Sequence, residues 1–166
     1  MTALNRGYFT IFTCMKAISC GVIIIDKITG QLLACHPSCH PWRPGNYDIP
    51  KGHVEGNETH VETALRELKE EANIRLTKDD LYDCGMFLYT KYKDLHLYVA
   101  ETPVDLSLLS CSTYFSFEGR QPLEVDGYKL IPADAYDMYF KSLGPLVKTC
   151  VERYREYGEN QLPTGL

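Results

Sequence analysis

The segment from Thr59 to Ala72 limits the fold of this chain more than any other. Thr59-x-x-Glu62 has the form of a capping box, in which each side chain satisfies a backbone N–H of the first turn. Val61, Ala64, Leu65, Leu68 and Ala72 then recur at spacings of three and four, which draws one apolar stripe along a helix. Asn73 follows, a residue that accepts the left-handed conformation ending many helices. Runs of strand character lie on both sides. Residues 18–25 (ISCGVIII) are short, β-branched and uncharged, as a buried strand requires. Asp26 to Gly30 reads as a hairpin turn, and residues 31–36 as the returning strand. Pro37 to Gly45 reads as loop, and Tyr47 to Pro50 as a short extended piece.

After the helix, residues 84–92, 95–101, 114–118 and 125–131 read as strands. Pro132 is placed to open a helix running to about Lys141, and Pro145 to Tyr157 reads as the last helix. The pattern predicts an α/β fold, with a mixed sheet between helices. Residues 1–16 are expected to be an N-terminal arm or extra strand, 17–157 one domain, and 158–166 a flexible tail. One domain agrees with a length of 166 residues.

Composition narrows the class. Hydrophobic residues make up 45% and charged residues 23%, which excludes a disordered or collagen-like chain. No apolar run is long enough to span a bilayer as a helix. The net charge of −5 argues against a nonspecific grip on long nucleic acid. Seven cysteines, an odd number, with no secretory leader pattern in the first 20 residues, point to reduced thiols and a cytoplasmic setting. Cys35, His36, Cys39 and His40 cluster, but no second Cys/His pair follows at zinc-site spacing, so this stretch reads as strand end and loop.

The chemistry gathers at residues 52–74. Glu67 with Glu70 and Glu71 stands at i, i+3 and i+4, so three carboxylates share one helical face, expected to lie away from Leu65, Leu68 and Ala72. Their mutual repulsion calls for a compensating charge, and a hard divalent cation with oxygen ligands fits. Lys51, Gly52 and Gly56 precede the helix. A cationic, glycine-containing loop beside a carboxylate face suits phosphoryl transfer.

Gly52, Glu58, Arg66, Glu67, Leu68, Glu70, Glu71 and Ile74 resemble the signature of the Nudix hydrolases. Asn73 stands where that signature has glycine. The resemblance implies an α/β/α sandwich and cleavage of a phosphoanhydride bond in a nucleotide. Water is the attacking group, and Mg²⁺, replaceable by Mn²⁺, is the cofactor. It implies Glu67, Glu70 and Glu71 as metal ligands, and Glu58 paired with Arg66 to fix the loop. Glu67, Glu118 and Glu124 remain alternatives for the general base. The run Tyr47 to Gly56 is similar to that of the family's dinucleoside tetraphosphate hydrolases, which implies Lys51, Gly52 and His53 as substrate contacts. Lys91 and Lys93 are further candidates to reach a polyphosphate, Tyr89, Tyr92, Tyr128 and Tyr136 to stack on a nucleobase, and Trp42 and Arg43, in the loop before this run, to clamp one. The implied partner is a small nucleotide, with no membrane involved. An RNA 5′ end, a nucleoside triphosphate, ADP-ribose, and a catalytically silent nucleotide-binding module stay open as alternatives.

Overall fold

The computed structural model describes residues 15–158. Most of the expected N-terminal arm and nearly all of the expected tail therefore lie outside the described residues. The elements are β1 (Ala17–Asp26), β2 (Leu32–Pro37), β3 (Lys51–His53), α1 (His60–Ala72), β4 (Tyr82–Thr90), β5 (Lys93–Thr102), β6 (Val125–Ile131) and α2 (Gly144–Tyr157). The sheet runs β4-β5-β1-β2-β6, with β3 paired to β1 beside this path. β1 and β5 are parallel along their full length, and the other pairs are antiparallel, so the sheet is mixed.

β1 explains why its sequence is apolar without alternation. It is central, and both of its faces are covered. Ile23 and Ile25 point to one layer, with Leu95, Leu97 and Val99 of β5 and Val147, Cys150 and Val151 of α2. Cys20, Val22 and Ile24 point to the other, with Leu33, Tyr98 and the α1 residues Ala64, Leu68 and Ala72. The result is a sheet between two helical layers. The second edge of β1 is shared. Ile25 pairs with Leu32 of β2, and Ser19, Cys20 and Gly21 pair with His53, Gly52 and Lys51 of β3. β4 departs from a regular ladder twice, between Asp83 and Gly85 and between Leu88 and Thr90, and Gly85 has φ 85°.

The capping box of α1 is formed: Thr59 accepts from the Glu62 N–H, and Glu62 accepts from the Thr59 N–H. Asn73 has φ 55° and donates its own N–H to the Lys69 carbonyl. Its Nδ2 also donates to the Leu108 carbonyl at 3.2 Å, a contact spacing alone does not reveal. Asn73→Gly is expected to be near neutral, because relief at positive φ offsets the lost side-chain bond. Asn73→Ala keeps neither advantage and is expected to cost about 1–2 kcal/mol in urea denaturation.

Four expectations need correction. The segment 114–118 forms only isolated bridges, Tyr114 with Leu123 and Phe117 with Arg120, because it turns back on itself at Glu118 and Gly119. The expected helix after Pro132 reduces to a single turn, Tyr136–Met138. The Gly45 and Tyr47 N–H groups donate to the Met138 carbonyl, and the Phe140 N–H donates to the Tyr47 carbonyl, so the backbone there serves a neighbouring segment. β3 stands where the sequence reads as loop; three residues are too few to show alternation. Finally, Glu67 and Glu71 do not lie away from the packed face. Both are buried, beside Ala64, Leu68 and Ala72.

Candidate active site

Gly52 shows how closely β3 and α1 approach. A Cβ at this position would fall 2.1 Å from Glu67 Oε1, so only glycine lets the carboxylate lie against the strand. Arg66 ties the loop to the helix. Its Nε and Nη2 donate to the two oxygens of Glu58 at 2.8 and 3.0 Å. Its Nη1 donates to Glu67 at 2.8 Å and to Glu70 at 3.1 Å, and Nη2 also donates to the His53 carbonyl at 3.0 Å. The two-pronged bond from Arg66 holds the Glu58 carboxyl down at about 2.

Glu71 lies on the buried side of the same helix, and its Oε2 accepts the Lys51 N–H at 3.1 Å. The Tyr128 hydroxyl donates to the Glu71 backbone carbonyl, so its polar end is used in fixing the helix. Glu124, just before β6, accepts from Thr113 Oγ1 at 2.9 Å. Oxygens of Glu67, Glu71 and Glu124 all come within 4.8 Å of one another. Glu70 is turned to Arg66 and is not part of this group. Of the two loop carboxylates named from sequence, Glu124 joins the site. Glu118 is exposed on a turn, with φ 47°.

Burial raises the Glu71 carboxyl well above the ordinary range and raises that of Glu67 as well. Three converging carboxylates, two buried and Glu124 half-buried, are the donor chemistry that a hard divalent ion takes, so these residues fit Mg²⁺ or Mn²⁺. The sign of the resulting pH dependence follows. Folding is unpenalised below the unfolded-state value, about 4.5, and loses stability as pH rises through the raised folded values. Saturating Mg²⁺ is expected to raise the melting temperature more at about pH 8 than at about pH 5, where the ion competes with protons; differential scanning calorimetry reads the difference.

A basic group lies on the other side of β3, since successive strand residues face opposite ways. Burial alone would pull the Lys51 ammonium down. Asp48, whose Oδ2 is 2.6 Å from Nζ, more than reverses this and keeps the lysine charged. Lys93, half-buried, is lowered by burial and then by Lys51. His53 is lowered by burial and then by Lys93 and Lys51. Lys51, His53 and Lys93 therefore feel one another's charge. Tyr92 is exposed, with Lys91 Nζ 5.4 Å from its ring centre. Trp42 stacks on His36 at 3.5 Å between ring centres, and Arg43 is exposed beside it in the chain.

A model of the NUDIX domain matches residues 15–149. The chain belongs to the Nudix family. It is accordingly a hydrolase of pyrophosphate bonds. Among similar proteins is a 17.7 kDa protein of Enterobacteria phage T4 with no assigned function, 32% identical over 131 residues, covering 71% of this chain and 83% of the phage protein. A bis(5′-nucleosyl)-tetraphosphatase (asymmetrical) of Caenorhabditis elegans is 39% identical over 87 residues, covering 48% of this chain and 57% of that enzyme. The crystal structure of the NUDIX domain of Shewanella oneidensis NrtR with ADP ribose shares the fold. Its TM-score is 0.61 at 17% identity, over 83% of this Nudix chain and 88% of that one. No helix among the described residues is long and apolar enough to cross a membrane.

Spacing alone brings Glu58, Arg66, Glu67 and Glu71 of this Nudix chain together. It does not reveal Asp48 as the partner of Lys51 or Glu124 as a third converging carboxylate. Both come from separate segments, and an acidic residue at a strand end carries no mark of what it faces.

Proposed function

We propose that this Nudix hydrolase cleaves a dinucleoside polyphosphate, such as diadenosine tetraphosphate, with Mg²⁺ as its cofactor. The observation that carries this reading is that Lys51 and His53 flank Gly52 on β3, the glycine that lies against Glu67, while the Lys51 N–H donates to Glu71. A long phosphate bridge can engage the basic residues and the carboxylates at once. The likeness to the C. elegans tetraphosphatase supports the same choice.

Glu67, Glu71 and Glu124 would hold the ion, with Glu70 beside them on α1. When bound, Mg²⁺ supplies compensation for phosphate charge and makes a coordinated water easier to deprotonate. Lys51, steadied by Asp48, binds phosphates beyond those at the carboxylates. Arg66 and Glu58 keep the loop against α1 so that the carboxylates stay in register. Glu67 or Glu124 would accept the proton of the attacking water. A cytoplasmic location goes with this reading and with the six free cysteines among the described residues.

The test is a panel of nucleotides incubated with Mg²⁺, with products resolved by anion-exchange chromatography. The expected products of diadenosine tetraphosphate are ATP and AMP. A higher kcat/KM on ADP-ribose, a nucleoside triphosphate or a capped RNA would replace the substrate named here. Lys51→Ala is expected to lower kcat/KM for diadenosine tetraphosphate about ten- to a hundredfold, the worth of one charge-assisted hydrogen bond. The loss on ADP-ribose should be smaller. Equal losses on the two would restrict Lys51 to supporting the loop.

A further inference from the structure

The first residue of α1, His60, meets His96 of β5 in a part-buried contact. Their Nδ1 atoms are 2.7 Å apart, with the rings nearly perpendicular. The opposite nitrogen of His96, Nε2, is 2.6 Å from Asp83 Oδ1 on β4. The His96 ring also lies flat on Tyr98, 4.6 Å between centres and 6° from parallel. The Asp83 carboxylate accepts from His96 Nε2–H, so the unprotonated His96 Nδ1 accepts the hydrogen bond that His60 Nδ1–H donates. One imidazole is thus fixed in tautomer by a carboxylate and fixed in plane by a stacked ring, with its unprotonated nitrogen facing a second imidazole. A carboxylate behind a histidine is the usual outer support of a metal-bound imidazole.

We infer that His60 and His96 form a second metal site, for a borderline divalent ion of the zinc type, with Asp83 as the positioning residue. Two nitrogens on a tetrahedral Zn²⁺ stand about 3.3 Å apart, so the pair opens by about 0.6 Å, and the His60 proton moves to its Nε2 as the ion replaces the hydrogen bond. Water completes the shell, since both histidines are only part-buried and Asp83 beside them is exposed to solvent. Nitrogen donors select this class of ion over Mg²⁺, which prefers oxygen. The site is separate from the carboxylate group. Along α1, Glu67 and Glu71 lie roughly 10 and 16 Å from His60 at 1.5 Å per residue. A bound ion would pin the start of α1 to β5 of the sheet.

The experiment is calorimetric titration of the full-length protein with Zn²⁺ in excess Mg²⁺, with circular dichroism to check that each variant folds. The expected result is one binding event that His60→Gln and His96→Gln each abolish. Asp83→Asn, at an exposed position, should keep that event and weaken it about tenfold. In the wild-type protein, Zn²⁺ should move the imidazole nitrogen resonances of both His60 and His96, a readout that depends on no variant. Absence of the event in the wild type, its survival in either histidine variant, or unmoved His60 and His96 resonances would overturn the site. An unchanged affinity in Asp83→Asn would overturn the positioning role.

Discussion

Glu71→Gln is expected to lower kcat about 10²- to 10³-fold, with the fold intact. Glutamine keeps the shape and can still accept the Lys51 N–H through its amide oxygen. What it loses is the charge that a divalent ion would bind. The same substitution relieves a carboxylate whose charged form burial disfavours, so the protein without Mg²⁺ should melt at a higher temperature than the wild type. The two effects have opposite signs and one cause. Activity in saturating Mg²⁺ and melting in a chelator measure them separately. Near-normal turnover of the variant would remove Glu71 from the metal site, and a fall in both quantities would make its role structural.

Arg66→Gln is expected to carry the largest stability cost, about 3 kcal/mol. That is the low end for breaking a buried charge pair, because the Arg66 side chain keeps 21% exposure. Its removal leaves Glu58, Glu67 and Glu70 repelling one another with no cation among them. It also frees the His53 carbonyl, so the loop is left with its bonds to Thr63 and Glu71 of α1. The melting temperature should fall by roughly 6–12 °C. Arg66→Lys should recover only part of this, since an ammonium cannot reproduce the two-pronged bond to Glu58. A loss under 1 kcal/mol for Arg66→Gln would mean that solvent already screens these carboxylates.

These outcomes depend on features that differ in how readable they are. α1 is legible because everything local agrees: the Thr59–Glu62 box, the spacing of Ala64, Leu68 and Ala72, and Asn73 at the end. β1 is legible because a strand buried on both faces must be apolar throughout. The site is legible where its residues share that helix and loop. It fades where partners arrive from elsewhere, as with Asp48, Glu124 and the Tyr128 hydroxyl. The misplacement of the carboxylate face is instructive. Spacing correctly puts Glu67 and Glu71 together, but hydropathy assigns charged residues to solvent. Only the close approach of Gly52 and the Arg66 network shows why two carboxylates are held inside. In the same way, Pro132 is a good first residue for a helix, yet Tyr47 takes the backbone partners that a helix there would need.

The irregular ladder of β4 bears on how the molecule behaves in a crowded solution. An open strand edge is a template on which another chain can pair, the first step toward aggregation. Among the described residues, β4 is one such edge of the sheet. Its two register shifts, with Gly85 at positive φ, interrupt the straight row of N–H and C=O groups that an incoming strand would have to match. Arg153 Nη1 of α2 donates to the Cys84 carbonyl at 3.0 Å and occupies one acceptor of the strand. The bulges that break the regularity of β4 thus make it a poor partner for strangers, and self-association along this edge is discouraged by backbone shape.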